Sequence, residues 1–353
     1  MSLDPPDRTL PRIDSHDPVG VDTEFMRERT YFAQLCLIQL STTDEIICVD
    51  PLAGDDMADF WQVLCDRTWV VHSARQDIEV IYQAAERMPA RLFDTQVAAS
   101  LLGFQAQIGY AGLVEALFDV KLPKSHTRAD WSRRPLKQAL LDYAAEDVEY
   151  LLPARDELAS QLEAKGRLEW ALADSALLLD KGLYEIDPSQ AVGRLKGARN
   201  LSGRRRTVAA SLAEWRENEA VRLDRPRQWI LRDNILLDIA FRAPSSLREL
   251  GSIEQMPEKL VKRSGKAILR AVADVSGAAQ DYRPPTPPTE AQKQQLKKMQ
   301  ALVASCADDL GIAAEMIASR KDLSALLMQG EHESRVLKGW RRELVGDALE
   351  ELA

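Results

Sequence analysis

Short apolar runs alternate with helical segments over the first 135 or so residues, and no convincing strand follows them. The runs PVGVDTEF, QLCLIQL and EIICVD, near residues 18–50, are strand-like, with a turn at STTD. Further on, WVVH is typical of a strand, and ARQDIEVIYQAAE has the apolar spacing of three and four that helices show. This alternation predicts an α/β domain, whereas the chain from Pro135 onward predicts helices alone.

Two segments interrupt the helical half and indicate domain boundaries. DPSQAVGRLKGARNLSG is rich in Gly and Ser, and RPPTPPT contains four prolines, which cannot donate helical hydrogen bonds. A length of 353 residues suits two or three domains. We therefore predict an α/β domain with trailing helices over 1–194, a helical bundle over 195–282, a Pro-rich linker over 283–289 and a second bundle over 290–353.

The charge of the chain is unevenly distributed. The net charge is −9, but residues 194–270 contain 18 Lys and Arg against 9 Asp and Glu, so that segment carries +9 and the remainder −18. The basic segment suits phosphate binding, and the rest concentrates carboxylates. With 45% hydrophobic and 29% charged residues, the composition is that of a globular protein and excludes a disordered or fibrous chain.

Neither a membrane protein nor a secreted one is indicated. The longest uncharged window, Thr95–Val114, contains too many polar residues for a bilayer, and the N-terminus lacks the apolar core of a secretion signal. The four cysteines have no C-x-x-C spacing, which favours free thiols over zinc ligands or disulfides. We expect a cytoplasmic protein that binds neither zinc nor membrane.

A pair of carboxylates lies inside an apolar strand-like run. Asp22 and Glu24, in VGVDTEF, are two residues apart and would point to one face of a strand. Two adjacent anions on a buried strand are costly unless a cation lies between them. A solvated strand edge is the ordinary alternative for this motif.

Three further side chains extend this pattern. Asp77 follows the strand WVVH where a helix begins, a position that also favours an acid simply because of the helix dipole. Tyr143 and Asp147 are four residues apart and would share one face of a helix, which an ordinary amphipathic helix would equally explain.

Together these residues suit metal-dependent chemistry. Four hard oxygen ligands favour Mg²⁺ or Mn²⁺ over zinc. Two such ions can support in-line hydrolysis of a phosphodiester. Tyr143 would orient the attacking water, since a phenol with a pKa of about 10 is a poor base at neutral pH. The predicted metal ligands are Asp22, Glu24, Asp77 and Asp147, and Tyr143 completes the catalytic set.

The order of these motifs resembles the DEDD exonuclease superfamily, in its tyrosine subgroup. The histidine subgroup is excluded locally, because its histidine would occupy the position of Asp142. DTEFMRERTYFAQLCLIQL, HSARQDIEV, FDTQ, KSHTRADWSRRPL and DYAAEDVEYLLP are similar to segments of the bacterial ribonuclease D family, in the same order. That resemblance implies a ribonuclease H-like fold with a mixed sheet, two divalent metals, and 3′-to-5′ removal of 5′-mononucleotides from RNA, including transfer RNA precursors.

The similarity continues through the helical half. WRENEAVRLDRPRQWILRDNILLDIAFRAPSSLRELGSI resembles an HRDC domain, a helical nucleic-acid-binding module, and the tail with SRKDLSALL and KGWRRELVGDALEEL resembles the second HRDC repeat of the family. The stretch ahead of VGVDTEF is short and rich in Pro and Asp, where the family usually has a lead-in helix. The resemblance implies that RNA with a free single-stranded 3′ end is the partner, and we expect a monomer.

Several side chains near these motifs are candidates for substrate contacts. Arginine and lysine suit phosphates, and aromatic rings can stack on the bases of single-stranded RNA. A solvated charged loop is the alternative for the basic residues, and core packing is the alternative for the phenylalanine. The candidates are Thr23, Phe25, Lys124, Arg128, Trp131, Arg133 and Arg134.

Two other functions fit parts of the pattern. A catalytically silent RNA-binding scaffold could keep the fold, although all five active-site positions hold competent residues. A Werner-type DNA exonuclease shares the same constellation, although no G-x-x-x-x-G-K-[ST] helicase motif occurs. The leading hypothesis is a two-metal exoribonuclease.

Overall fold

The structure, a computed structural model, describes residues 3–54, 56–123, 129–274, 286–330 and 334–353. The chain forms two compact units, each discontinuous in sequence. Unit 1 comprises Met1–Met26, Gln34–Tyr184 and Pro288–Ala353, and unit 2 comprises Arg27–Ala33 and Glu185–Pro287.

A six-stranded mixed sheet lies at the centre of unit 1. Its strand order is β1-β4-β3-β2-β5-β6, with β2–β3 and β3–β4 antiparallel and the other pairs parallel. This arrangement confirms the predicted mixed sheet. The strands are β1 (Leu3–Asp4), β2 (Val19–Met26), β3 (Gln34–Ser41), β4 (Ile46–Val49), β5 (Thr68–Val71) and β6 (Arg91–Asp94).

Helices account for the rest of the regular structure. The Pro- and Asp-rich stretch ahead of β2 does form a lead-in helix, Pro6–Asp14. Pro6 is compatible with this helix, since it occupies the first helical position, where the missing N–H would have no helical partner. Among the helices that the structure describes, none is both long and apolar enough to cross a membrane. The helices are α1 (Pro6–Asp14), α2 (Ala58–Cys65), α3 (Arg75–Ala85), α4 (Thr95–Leu102), α5 (Tyr110–Phe118), α6 (Gln138–Glu149), α7 (Leu151–Ala164), α8 (Leu168–Ala176), α9 (Gly203–Leu223), α10 (Arg227–Ile230), α11 (Asp233–Arg242), α12 (Leu247–Gly251), α13 (Glu258–Ala273), α14 (Glu290–Leu310), α15 (Ala314–Ile317), α16 (Arg320–Gln329), α17 (Gly339–Arg341) and α18 (Asp347–Leu352).

The C-terminal helices α14–α18 share one hydrophobic core with α4, α7 and α8. The rings of Trp170 and Trp340 stack with their centroids 4.6 Å apart. Gly103 and Gly311 bring two backbones together, since a Cβ atom on Gly103 would lie 2.4 Å from the carbonyl oxygen of Gly311. The sequence predicts residues 290–353 as a separate bundle, whereas in the structure they belong to unit 1.

Polar contacts reinforce the packing of α14–α18. The guanidinium of Arg341 donates two hydrogen bonds of 2.7 Å to the carboxylate of Asp174, and both side chains are buried. Arg167 donates to the carbonyl oxygens of Leu101 and Leu310, each at 2.8 Å. Arg167 thereby gives a carbonyl in the last turn of α4 and one in the last turn of α14 the partner that helix ends otherwise lack.

Unit 2 contains a helical bundle, α9–α13, with its own apolar core. The side chain of Glu217 is fully buried and forms ion pairs with Arg194 at 2.9 Å and Arg227 at 2.5 Å. It also accepts a hydrogen bond from the hydroxyl of Tyr31. Because a buried carboxylate is stable only when it is paired, this network fixes the segment 27–33 within unit 2.

Candidate active site

Strand β2 carries Asp22 and Glu24 on one face. In the antiparallel pair with β3, Asp22 lies opposite Gln39 and Glu24 lies opposite Leu37. Helix α6 covers this face, since Leu141 and Ala144 of α6 share a core with Leu37. The two carboxylates therefore lie between the sheet and α6, and both are partly buried.

Asp77 lies in the first turn of α3 and is only 7% exposed. Its Oδ1 accepts a hydrogen bond of 2.6 Å from the hydroxyl of Thr23, the residue between the two β2 carboxylates. Burial raises the pKa of Asp77 to about 7, although the bond from Thr23 opposes that rise. Asp77 is therefore held beside β2 by a direct contact.

Helix α6 contributes Tyr143 and Asp147. Burial, with a further effect of Glu146, raises the pKa of Asp147 to about 7, and a hydrogen bond with Tyr143 lowers it. Burial also raises the pKa of the Tyr143 phenol, together with the charges of Asp147 and Glu24. The spacing of four residues thus brings the phenol and the carboxylate into contact on one face of α6.

The four carboxylates of Asp22, Glu24, Asp77 and Asp147, here called the carboxylate cluster, influence one another electrostatically. Burial and the charges of the other three members raise the pKa of Asp22 well above its ordinary value. Burial and the charges of Asp147 and Asp77 raise the pKa of Glu24 to about 8. Like charges this close favour protonation unless a cation compensates them. The cluster therefore has the electrostatics of a cation site.

The chemistry of the cluster fits a hard divalent cation. All of its donors are carboxylate oxygens, which Mg²⁺ and Mn²⁺ prefer. In the described residues, no group of three or more His, Cys, Asp or Glu side chains is already arranged as a metal-ligand set. The cluster matches such a cation in donor type and in charge.

Asp94 is a further residue of this region, and the sequence analysis assigns it no function. It caps α4 and is 2% exposed, and its carboxylate accepts hydrogen bonds from the backbone N–H groups of Ser73 and Ala74 at 3.1 and 2.8 Å. Ser73 has a φ of 63°, so the turn before α3 needs such support. Asp94 thus fixes the turn that positions Asp77. The available signal was an Asp preceding the helical pattern TQVAASLL, which is typical of an N-cap.

Tyr110, on α5, is a second residue without a sequence prediction. Its hydroxyl accepts a hydrogen bond of 2.9 Å from the backbone N–H of Tyr150, just after α6 ends. Burial raises the pKa of Tyr110, and the charges of Asp147 and Asp22 contribute. Tyr110 therefore holds the end of the helix that carries Asp147.

Two predicted substrate contacts have structural roles instead. Trp131 is 3% exposed and packs with its ring centroid 6.4 Å from that of Tyr143, so it presents no face to a base. Arg134 donates two hydrogen bonds to the carboxylate of Asp50, at 2.6 and 2.5 Å, and another to the carbonyl oxygen of Cys36. The structure does not support RNA contacts for Trp131 or Arg134, because packing and ion pairing already occupy both.

The other candidates differ in their surroundings. The side chain of Arg133 is 82% exposed, and its one ion pair within the described part of the chain is a surface pair with Asp130 at 3.0 Å, so it is available to a phosphate. Phe25 is half-buried at the end of β2. The hydroxyl of Thr23 is used by Asp77. Lys124 and Arg128 lie outside the described residues.

His72 follows β5, and its hydrogen-bond partners among the described residues include no member of the carboxylate cluster. Its Nδ1 lies 2.9 Å from the hydroxyl of Thr95, and its Nε2 lies 3.0 Å from the carbonyl oxygen of Ile108. Burial lowers the pKa of this imidazole. Both ring nitrogens are therefore engaged in holding α4 and the segment before α5.

Comparison with known families agrees with this geometry. The sequence model described as 3′-5′ exonuclease matches residues 4–163, that of the HRDC domain matches 205–272, and that described as ribonuclease D, C-terminal HRDC domain matches 291–349.

Individual relatives extend over nearly the whole chain. Ribonuclease D of Gluconacetobacter diazotrophicus is 38% identical, and the match covers 93% of this chain and 86% of the relative. Ribonuclease D of Pseudomonas paraeruginosa is 34% identical, and the match covers 94% of this chain and 90% of the relative. The crystal structure of Escherichia coli RNase D, described as an exoribonuclease involved in structured RNA processing, superposes with a TM-score of 0.89 at 29% identity, over 100% of this chain and 98% of that one.

Proposed function

Because the chain belongs to the ribonuclease D family and is a 3′-to-5′ exoribonuclease, we propose that its catalytic centre is the carboxylate cluster together with Tyr143. The observation that carries this proposal is the mutual electrostatic effect of four carboxylates contributed by β2, α3 and α6. Such a concentration of negative charge is stable in the ionised form only with cations bound.

Two divalent cations, Mg²⁺ or Mn²⁺, are the cofactors in this proposal. Asp22, Glu24, Asp77 and Asp147 would hold them, since a purely oxygen donor set suits these ions. The chemistry that such ions supply when bound is polarisation of a water for in-line attack and stabilisation of the leaving oxygen. The chain's own contribution is to hold the four carboxylates on three elements that are packed together.

Tyr143 acts as a hydrogen-bond donor. Burial and three neighbouring carboxylates raise the pKa of its phenol, so it keeps its proton at neutral pH. A neutral phenol cannot act as the general base, but it can orient a water beside Asp147, with which it shares a hydrogen bond. Its removal should therefore affect turnover more than RNA binding.

The substrate in this proposal is RNA with a free single-stranded 3′ end, transfer RNA precursors included. Arg133 is the described candidate for a phosphate contact, since its side chain is 82% exposed. Lys124 and Arg128 remain candidates of the same kind, and Phe25 is the candidate for stacking. The basic helical unit would add contacts to the RNA backbone, which depend strongly on salt. We further propose that the protein acts in the cytoplasm as a monomer.

The test is the release of 5′-mononucleotides from a 3′-labelled and a 5′-labelled RNA oligonucleotide, with Mg²⁺ or with chelator. Asp22→Asn and Asp147→Asn should each reduce the rate by at least about 10³-fold, because a metal ligand is lost. Asp142→Asn is the matched control, since Asp142 is exposed on the same helix and its carboxylate accepts a hydrogen bond from Gln138, one turn earlier. Full activity of either ligand variant, or activity in chelator, contradicts the proposal.

The family assignment favours an exoribonuclease over a Werner-type DNA exonuclease and over a silent scaffold. A direct comparison uses two oligonucleotides that differ only in a 3′-terminal ribose or deoxyribose. The 2′-hydroxyl is the local difference that a protein can recognise between them. Faster cleavage of the ribose end is expected, and equal rates would reopen the DNA alternative.

A further inference from the structure

Gln39 carries a buried amide in the middle of β3, and the polar atoms of this amide lack a hydrogen-bond partner in the described part of the chain. Its side chain is 0% exposed, and neither Oε1 nor Nε2 has a hydrogen-bond partner among the described residues. The hydroxyl of Ser41, two residues further on, is also buried and without a partner there. A buried polar atom left unsatisfied costs about 1–3 kcal/mol, so three of them in three residues need an explanation.

The pairing of β3 with β2 relates these atoms to the carboxylate cluster. Gln39 lies directly opposite Asp22, and Ser41 lies directly opposite Gly20. Residues directly opposite in an antiparallel pair point to the same face, with Cβ atoms about 4.5–5.5 Å apart. The unpartnered amide is therefore the cross-strand neighbour of a proposed metal ligand.

The space around Ser41 is closed on its other side. A Cβ atom on Gly20 would lie 2.1 Å from the hydroxyl oxygen of Ser41 and 3.2 Å from the Cβ of Leu151. Glycine at position 20 thus leaves room for the hydroxyl, and α7 covers it. Among neighbouring side chains in the sheet, Asp22 provides the charged acceptor and Cys48, opposite Gln39 on β4, provides only a weak thiol.

We propose that Gln39 is a positioning residue for Asp22, an inference that rests on the proposed function. A divalent cation held by the cluster would keep Asp22 ionised, and a carboxylate oxygen of Asp22 could then accept a hydrogen bond. The Nε2 of Gln39 donates to that oxygen, and the hydroxyl of Ser41 donates to Oε1 of Gln39. One short network then gives a partner to all three atoms and fixes the orientation of the Asp22 carboxylate.

This role differs from a purely structural one in the sign of its effects. Without metal the amide is unsatisfied, so an apolar side chain of the same shape should leave the fold as stable as before or more so. With metal, loss of a partner that orients a ligand typically weakens metal affinity or activity 10–100-fold. A glutamine that served only the fold would instead destabilise the metal-free protein when replaced.

The experiment uses Gln39→Met, an unbranched replacement of similar length, in the full chain. Calorimetric titration with Mn²⁺ should give a Kd at least about tenfold weaker than that of the wild type. Melting in chelator should give a Tm equal to or above the wild-type value. In RNA cleavage, kcat should fall while KM for RNA stays unchanged. Ser41→Ala should act in the same direction with a smaller effect, and should add little in the double variant.

Leu40→Met is the matched control, because Leu40 is buried on the same strand but points to the opposite face, across from Val21. It should leave the Mn²⁺ affinity unchanged. Unchanged Mn²⁺ affinity in Gln39→Met overturns the inference, and so does a metal-free Tm that falls below that of Leu40→Met or a failure to fold.

Asp22→Asn separates this inference from the proposed function. If the wild type itself binds no Mn²⁺, the proposed function fails. If Asp22→Asn loses Mn²⁺ binding while Gln39→Met retains it at wild-type affinity, only the role of Gln39 fails.

Discussion

The hydroxyl of Thr23 donates a 2.6 Å hydrogen bond to the carboxylate of Asp77, 54 positions further along the chain. Both side chains are buried, so this bond links β2 directly to α3. Thr23→Val keeps the shape but leaves Asp77 without this donor, which we expect to lower stability by about 1–3 kcal/mol. Chemical denaturation measures that loss, and a lower kcat should accompany it because Asp77 loses its orientation.

Thr23→Ser is the control for this substitution, since it keeps the hydroxyl. It should retain most of the stability and the turnover. Equal behaviour of the Val and Ser variants would show that the hydrogen bond contributes nothing measurable.

The raised pKa values of the carboxylate cluster predict how stability depends on pH without metal. The pKa is about 7 for Asp77 and Asp147 and about 8 for Glu24 in the folded protein, against 3.8 and 4.5 as ordinary values. Between these limits the folded state binds more protons than the unfolded state, so stability falls as pH rises from about 4 to about 8. We expect the Tm in chelator to fall across this range.

Saturating Mg²⁺ should flatten that decline, because the cation takes the place of the protons. Glu24→Gln, which removes the member with a pKa of about 8, should show a shallower decline in chelator than the wild type. Scanning fluorimetry in matched buffers measures both effects. A metal-free Tm that rises over the same range is incompatible with the cluster as described.

Arg133 and Arg134 are neighbours in sequence, but we predict that Arg134 contributes to stability and Arg133 to RNA binding. Arg134→Ala leaves the buried carboxylate of Asp50 without its guanidinium partner, which should cost on the order of 3 kcal/mol of stability. Arg133→Ala removes an exposed side chain and should leave the Tm nearly unchanged. If Arg133 binds a phosphate, its loss should weaken RNA binding. It should also reduce by about 1 the slope of the logarithm of the RNA-binding constant against the logarithm of the salt concentration, here called the salt slope. Fluorescence anisotropy at several salt concentrations measures this slope, and an unaltered slope removes Arg133 from the interface.

The ion pair between Asp174 and Arg341 predicts how strongly α14–α18 stabilise unit 1. Both side chains are buried, so Arg341→Ala leaves an uncompensated carboxylate and should cost about 3–5 kcal/mol. Arg342→Ala is the adjacent control, since Arg342 is half exposed and pairs with Glu350 at the surface, where the expected cost is about 0–1 kcal/mol. Chemical denaturation, monitored by the loss of exonuclease activity, should show the larger loss of stability in Arg341→Ala. Equal losses of stability in the two variants would contradict this prediction.

The sequence predicted those features of the site that depend on local periodicity. Asp22 and Glu24 share a face because strand side chains alternate, and Tyr143 and Asp147 share a face because helical residues four apart are neighbours. Neither relationship needs knowledge of the tertiary structure. The α/β character of the first part and the helical second half followed from the same kind of pattern, whereas the mixed sheet was implied by the family resemblance.

Features that depend on distant contacts were not predictable in this way. Arg134 reaches a carboxylate 84 positions away, so a segment that reads as a charged loop contains a buried ion pair. The packing of Trp131 on Tyr143 is likewise a tertiary contact that local periodicity does not indicate. Gln39 lies within an apolar run, and only the strand register shows that Asp22 is its neighbour.

The shared core of α4, α7, α8 and α14–α18 has a consequence for how the protein is made. During synthesis the strands and the helices of the catalytic region leave the ribosome long before residues 288–353 do. Until then, the apolar surface around Trp170 has no partner, and exposed apolar surface of this kind promotes aggregation. The nascent enzyme therefore completes its catalytic unit only after α14–α18 have emerged, long after the residues of the carboxylate cluster have left the ribosome.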